Sequence, residues 1–248
     1  LAGNINDLYQ SLLAAIETLE LEKQRVREVE QSKVDFMRAA SHELKTPLTA
    51  LNATLENMIL GVGKYRDVEA FLPECKEMAE RLAGMIQEIL EASKAGGPLQ
   101  NEAPVQTDLS ILLSALCEPY EQIAKARGIV FQLELSGGPS AKLPPKLFGK
   151  AVSNILANAV TYTAPGKTVS VYFDGRTLVI ENECTPIPPE ALTHLFEPFY
   201  RPDYARNRED GGNGLGLYLV DMLLGAMGLS YSFRPMEQPA GMRFVIHL

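Results

Sequence analysis

The chain has 248 residues and a formal net charge of −8, with a pI of about 5.1, which argues against nucleic acid as a partner. With 46% apolar residues it is globular rather than disordered, and it is long enough for one large or two modest domains. Cys75, Cys117 and Cys184 are odd in number and form no CxxC pair, which argues against a disulfide framework and a zinc site and suits a reducing compartment.

No apolar run reaches the length of a membrane span, and the first residues do not read as a secretory leader. A chain that starts at Leu1 rather than Met reads as a fragment or a processed form. From Ile5 a seam runs through Leu8, Leu12, Ala15, Leu19, Glu22, Val26, Val29, Lys33 and Phe36 at alternating spacings of 3 and 4. This is a heptad seam, and no other apolar segment lies near enough in sequence to cover it, so it predicts a parallel coiled-coil dimer. The phase then shifts along Val29, Lys33, Met37, Ala40, Leu44 and Leu48, as a coiled coil entering a bundle requires.

The next stretch is Ala40-Ser41-His42-Glu43-Leu44-Lys45-Thr46-Pro47-Leu48-Thr49. Leu44, Leu48, Leu51, Leu55 and Met58 form one predicted apolar stripe, and His42 lies off it. Glu43 is the neighbour of His42, and Thr46 sits one helical turn further along the same face. Pro47 lacks an N–H and predicts a bend beside the histidine. An exposed imidazole with an adjacent carboxylate suits a nucleophile and its base. Residues 61–67 read as a hairpin turn, followed by a second helix with Phe71, Leu72, Cys75, Met78, Leu82, Met85, Ile89 and Leu90 as its apolar face. Two such helices bury little alone, whereas two copies make a four-helix bundle. Ala95-Gly96-Gly97-Pro98 ends the helix and starts a linker.

Strand and helix signals alternate beyond the linker. Strands are predicted near 105–109, 129–135, 168–173, 177–180, 231–233 and 243–247, with Asp174-Gly175 as a hairpin turn. Helices are predicted to about 127, over 144–163, 189–195 and 215–227. This makes an α+β domain of ordinary size. On the helix 144–163, Asn154, Asn158 and Tyr162 share one face, opposite Val152, Ile155, Leu156 and Val160. Asparagine amide oxygens are hard ligands of the kind a hydrated Mg²⁺ accepts. Gly212-Asn213-Gly214-Leu215-Gly216-Leu217 opens the last helix, where backbone N–H groups can approach phosphate.

These strings together resemble the sensor histidine kinases of two-component systems. Ser41 to Thr49 resembles their phosphoacceptor box, 153–163 their N box, Phe196-Glu197-Pro198-Phe199-Tyr200-Arg201 their F box and 212–217 their second glycine box. The resemblance implies a dimeric four-helix-bundle phosphotransfer domain over 35–95, preceded by a coiled-coil signalling helix over 1–34 whose start is similar to the end of a HAMP module. It implies a GHKL-type α/β-sandwich ATP-binding domain over 103–248. By the same likeness His42 accepts the phosphoryl group, Glu43 is its base and Thr46 serves in dephosphorylating the regulator. Asn158 would hold Mg²⁺. ATP would contact Asn154, Tyr162, Asn182, Ile187, Arg201, Gly212, Gly214, Leu215, Gly216 and Leu217, under a lid spanning 202–211 that carries Arg206 and Arg208.

The implied partners are a second copy of the chain and the receiver domain of a response regulator. The implied location is the cytoplasm, below a membrane anchor in a part of the protein outside this chain. The chain departs from the family at Asn182, where Asp is usual, at Cys184 and Pro186, which replace glycines, at Thr161, where Lys or His is common, and at Met242, where Thr is usual. These departures motivate the alternative of a dimeric scaffold or phosphatase-only relay. The acceptor box and the change at Asn182 also resemble the vancomycin-resistance sensor kinases.

Overall fold

The computed structural model describes residues 2–95, 102–202 and 212–248. Two compact units divide at Ala79, so the boundary falls inside the second helix rather than at the linker.

The first unit is dominated by α1, Ala2–Leu60. The helix runs unbroken through Pro47, because a helix this long absorbs the single hydrogen bond that proline removes. The side chains buried along it are Phe36, Ala40, Thr54 and Met58, while Leu48 and Leu55 of the predicted stripe are exposed. The apolar surface of α1 is therefore wider than one stripe, and the chain covers only one side of it. Leu12, Leu19, Val26 and Val29 of the heptad seam are exposed too, and the side chains of Ile5 and Leu8 lie outside the described residues.

A single 3₁₀ turn, Gly63–Arg66, reverses the chain as the sequence predicts. Gly61 and Gly63 supply positive φ angles of 62° and 55°. Arg66 Nε donates to the Gly61 carbonyl at 2.9 Å. The helix α2, Val68–Ala95, opens with Asp67 accepting from the Ala70 N–H. Cys75 Sγ lies 3.8 Å from Met58 Sδ, which pins the two arms together near the turn. No helix among the described residues is long and apolar enough to cross a membrane.

The second unit is a two-layer α/β sandwich. Its sheet has the order β2-β4-β5-β7-β6, with β2 Val130–Glu134, β4 Thr168–Asp174, β5 Thr177–Glu183, β6 Tyr231–Glu237 and β7 Ala240–His247. Only the β2–β4 pair is parallel. A separate antiparallel pair joins β1, Val105–Asp108, to β3, Ser140–Leu143. β3 was not predicted; four residues between glycines and a proline carry no strand pattern. The helices are α3 Leu109–Ala126, α4 Pro145–Tyr162, the short α5 Pro189–Leu192 and α6 Gly216–Ala226. α5 ends three residues before the predicted Leu195, because a short turn takes over with Glu197 N–H bonded to the His194 carbonyl.

The inner face of the sheet is a ladder of apolar rows. Phe173, Leu178 and Ile246 make one row, Val171, Ile180 and Phe244 the next, and Val169, Asn182 and Met242 the last. All but Phe173 are buried. α4 lays Phe148, Val152, Ile155, Leu156 and Ala159 into the same core. Each fully buried residue of this kind contributes about 1.5–3 kcal/mol relative to exposure. β5 is longer than predicted because Asn182 and Glu183 pair with Met242 and Gly241, and the polar residues at the strand's end mask that continuation. β6 and β7 also exceed their predicted ranges, since they pair all the way to Glu237 and Ala240.

Candidate functional site

Asn154, Asn158 and Tyr162 line a cavity of about 540 Å³ in the second unit. The helix places them there by its period, with Val152, Leu156 and Val160 in the core and Ile155, predicted with them, buried but also lining the cavity. Asn154 Nδ2 donates to the Lys150 carbonyl at 2.9 Å, which fixes the amide and turns Oδ1 away from that bond. A Cβ built on Gly216 would lie 3.5 Å from both Asn154 Oδ1 and Asn158 Nδ2. The glycine thus brings the first turn of α6 against the asparagine face with its N–H groups bare of a side chain.

The glycine loop is locked to the preceding segment. Gly214 has φ +77°, and a Cβ there would come within 2.8 Å of the Phe199 carbonyl carbon. Phe199 N–H donates to the Gly214 carbonyl at 3.0 Å. Phe199 itself has φ 64°, an unusual conformation for a residue with a side chain. An aromatic cluster supports this crossing: Phe196 packs on Tyr231 with ring centroids 5.3 Å apart, and Tyr231 stacks on Phe244 at 5.3 Å. Tyr231 also donates to Asp221 at 2.7 Å; burial first, and then this bond and the Asp221 charge, push its hydroxyl pKa up.

At the other end of the cavity Asn182 is buried on β5, and Ile187 N–H points at Met242 Sδ, 3.4 Å away. Gly212, Gly214, Gly216, Leu217 and Arg201 also line the cavity. Leu215, predicted with them, is buried at the start of α6 and is not among the lining residues. Arg206 and Arg208 of the expected lid lie outside the described residues. Of the five positions of departure, Asn182, Cys184, Thr161 and Met242 line the cavity and Pro186 does not. The cavity is also lined by Tyr200, a member of the matched F box that was not among the expected contacts, and by Ile180 and Phe233, whose signal was only apolar and aromatic character next to matched residues.

One lining residue comes from α2. Glu88 faces the cavity, where burial pushes its carboxyl up, a hydrogen bond with Asn213 opposes the shift, and the Glu91 charge adds to it. Glu91 in turn meets Lys150 Nζ at 2.6 Å.

The first unit carries the other candidate group. His42 stands on α1 with its side chain 80% exposed, and its Nδ1 lies 3.6 Å from Glu43 Oε1. Ser41 Oγ donates to the Met37 carbonyl and Thr49 Oγ1 to that of Lys45, so both hydroxyls fold back on the helix. Thr46 is exposed. Among the described residues no cluster of three or more His, Cys, Asp or Glu side chains is placed to hold a metal alone.

Residues 32–98 match the family described as His Kinase A (phospho-acceptor) domain. Residues 144–248 match the Histidine kinase-, DNA gyrase B-, and HSP90-like ATPase family. The chain belongs to the sensor histidine kinases. It is 30% identical over 246 residues to the sensor histidine protein kinase HK06 of Streptococcus pneumoniae, covering 98% of this chain and 54% of that protein. It is 35% identical over 236 residues to the sensor protein VanSB of Enterococcus faecalis, covering 94% and 53%. The histidine kinase chain thus spans about half the length of these curated relatives. The fold is shared with the solved histidine kinase ThkA in complex with the response regulator protein TrrA, at a TM-score of 0.64 and 16% identity, covering 86% of this chain and 60% of that one.

Proposed function

We propose that this chain is the catalytic core of a sensor kinase that phosphorylates itself on His42 from ATP and passes the phosphoryl group to an aspartate of a response regulator. The observation that carries the reading is the pair His42–Glu43: an exposed imidazole with a carboxylate 3.6 Å from Nδ1, inside the segment that matches a phosphoacceptor domain. Glu43 holds the Nδ1 proton side, which leaves the Nε2 lone pair to attack the γ-phosphorus. The N–P bond forms as the bond to the bridging oxygen breaks, ADP leaves, and Glu43 takes the Nδ1 proton. An apo separation of this kind tightens in the reacting complex.

The cavity of the second unit is the ATP site of this reading. The base would sit toward Asn182 and Ile187, with Tyr162 alongside, and the phosphates against Asn154, Arg201 and the N–H groups of residues 212–217. Mg²⁺ fits the donor set: Asn158 offers a hard amide oxygen, and Glu88 is the one carboxylate among the described residues lining the cavity, which suits an ion that keeps several waters and arrives with the triphosphate. Bound there, the ion neutralises phosphate charge. Thr46 would position the water that removes phosphate from the regulator. The chain works as a homodimer in a protein whose other part anchors it at the membrane, with these residues in the cytoplasm. Domain limits of 1–34, 35–95 and 103–248 describe the proposed division of labour. HK06 and VanSB run side by side over nearly the same stretch, so they support the family and not a particular signal.

The test is incubation of the chain with γ-labelled ATP and Mg²⁺ beside His42→Gln. The expected result is acid-labile, base-stable label on the parent only, transferable to a receiver domain. Thr46→Ala should keep the label and slow loss of phosphate from the receiver. A folded, dimeric parent that takes no label would replace this reading with the phosphatase-only relay.

A further inference from the structure

Asn182 presents its cavity with a choice. A carboxylate offers an acceptor whichever way it turns, but an amide offers an acceptor on one side and a donor on the other. The purine bases differ in the matching place: adenine carries an exocyclic amino donor where guanine carries an acceptor oxygen. The orientation of this one amide therefore decides which base it suits, and that orientation is set by what stands behind it.

Behind it is Thr163, the residue that ends α4, 2% exposed and not part of the cavity wall. Thr163 Oγ1 donates its only proton to the Ala159 carbonyl at 2.6 Å. Its oxygen can then only accept. Asn182 Nδ2 donates to that oxygen at 3.3 Å. A flipped amide would set its own oxygen against the threonine's lone pairs and leave a buried donor and acceptor unmatched. Asn182 is placed on the sheet between Val169 and Met242 and lines the cavity, so the bond to Thr163 decides which end of its amide is left over. Its Oδ1 is left for the cavity.

We infer that Thr163 is a specificity-positioning residue: by fixing the amide of Asn182 it makes the pocket select a purine with an amino group at C6 over one with a carbonyl oxygen there. This rests on the nucleotide reading of the cavity. It also explains how the chain can carry Asn at this position without losing base choice. The uncharged amide does the carboxylate's work only while a neighbour prevents the flip.

The experiment is calorimetric binding of ATP and GTP to the whole 248-residue chain, with Thr163→Val and Thr163→Ser, each checked for folding by thermal melting. The parent should prefer ATP by about tenfold or more, the scale of one well-placed hydrogen bond against one unmatched polar pair. In Thr163→Val the amide is free to turn, so the ATP-to-GTP ratio should fall to within about threefold, through weaker ATP binding with GTP unchanged or improved. Thr163→Ser keeps the hydroxyl and should restore the parent's ratio. If valine crowds the helix end and the protein melts early, Thr163→Ala removes the same hydroxyl with less bulk. An unchanged ratio in the hydroxyl-less variants, or equal weakening of both nucleotides, overturns the inference and leaves Thr163 a structural residue. A parent that binds both nucleotides alike also overturns it while sparing the nucleotide site. A parent that binds neither removes the nucleotide reading and this inference with it.

Discussion

The two units solve the burial problem differently. In residues 102–248 the apolar rows of the sheet and the inner faces of α3, α4 and α6 close on one another, and the exposed large apolar residues are few: Val105, Ile111, Ile123, Val130 and Leu133. In residues 2–79 the balance is reversed. Phe36, Ala40, Thr54, Met58 and Cys75 are buried, while Leu12, Leu19, Val26, Val29, Leu48, Leu55, Ile59 and Leu72 stand open. An α/β layer closes its core within one chain; a helical hairpin has two apolar sides and covers only one. Open apolar surface on this scale marks an interface. The helical unit thus leaves one apolar side open, whereas the α/β unit closes its core on itself.

The largest effect should come from charging the open side of the helical half. Leu55→Glu with Ile59→Glu removes four apolar side chains from a symmetric dimer, at about 1.5–3 kcal/mol each. That is enough to abolish a dimer at micromolar concentration. Sedimentation equilibrium should show a monomer. Melting of the α/β unit should stay within about 0.5 kcal/mol of the parent, since distant surface changes do not couple. A dimer that survives both charges would mean that its contact lies elsewhere.

The α/β half should break from inside instead. Gly214→Ala forces a side chain into a left-handed conformation, costing about 1–2 kcal/mol, and pushes its Cβ into the backbone of Phe199. Nucleotide affinity by calorimetry should fall by more than about tenfold, with the dimer untouched. Unchanged affinity would show that the loop holds phosphate in another conformation.

What the sequence revealed follows the same divide. The open heptad seam, the helical period of Asn154, Asn158 and Tyr162, and the turns at 61–67 and Asp174-Gly175 are local patterns, and each was readable. β3 was not, because Ser140–Leu143 becomes a strand only by pairing with Val105–Asp108, far away in the chain. The apolar stripe of α1 was misjudged for a related reason. Of the stripe, Met58 is buried, Leu44 and Leu51 are half-buried and Leu48 and Leu55 are exposed, while Phe36, Ala40 and Thr54 are buried beside it, and only the partner arm decides between the two faces. In the cavity the matched residues were legible, whereas Phe199's φ, Glu88's approach from α2 and Thr163's hold on Asn182 depend on neighbours from other elements.

The smallest effect tests whether the complete half also supplies its own helix caps. α4 begins Pro144-Pro145, and Pro144 offers no side-chain cap. Glu102 does so from across the sequence: its carboxylate accepts from Lys146 N–H at 3.1 Å and Leu147 N–H at 3.2 Å. A carboxylate there satisfies orphan donors and also meets the positive end of the helix dipole. Glu102→Ala should cost about 1 kcal/mol, a drop of about 2–4 °C in melting temperature for a domain of this size. Glu102→Gln keeps an acceptor without the charge and should lose about half as much, with less sensitivity to salt than the parent. Because α4 carries Asn154 and Asn158, fraying its first turn should leave nucleotide binding nearly intact, as both asparagines lie beyond that turn. If Glu102→Ala melts with the parent, the cap is not made in solution, and α4 is held by its core face alone.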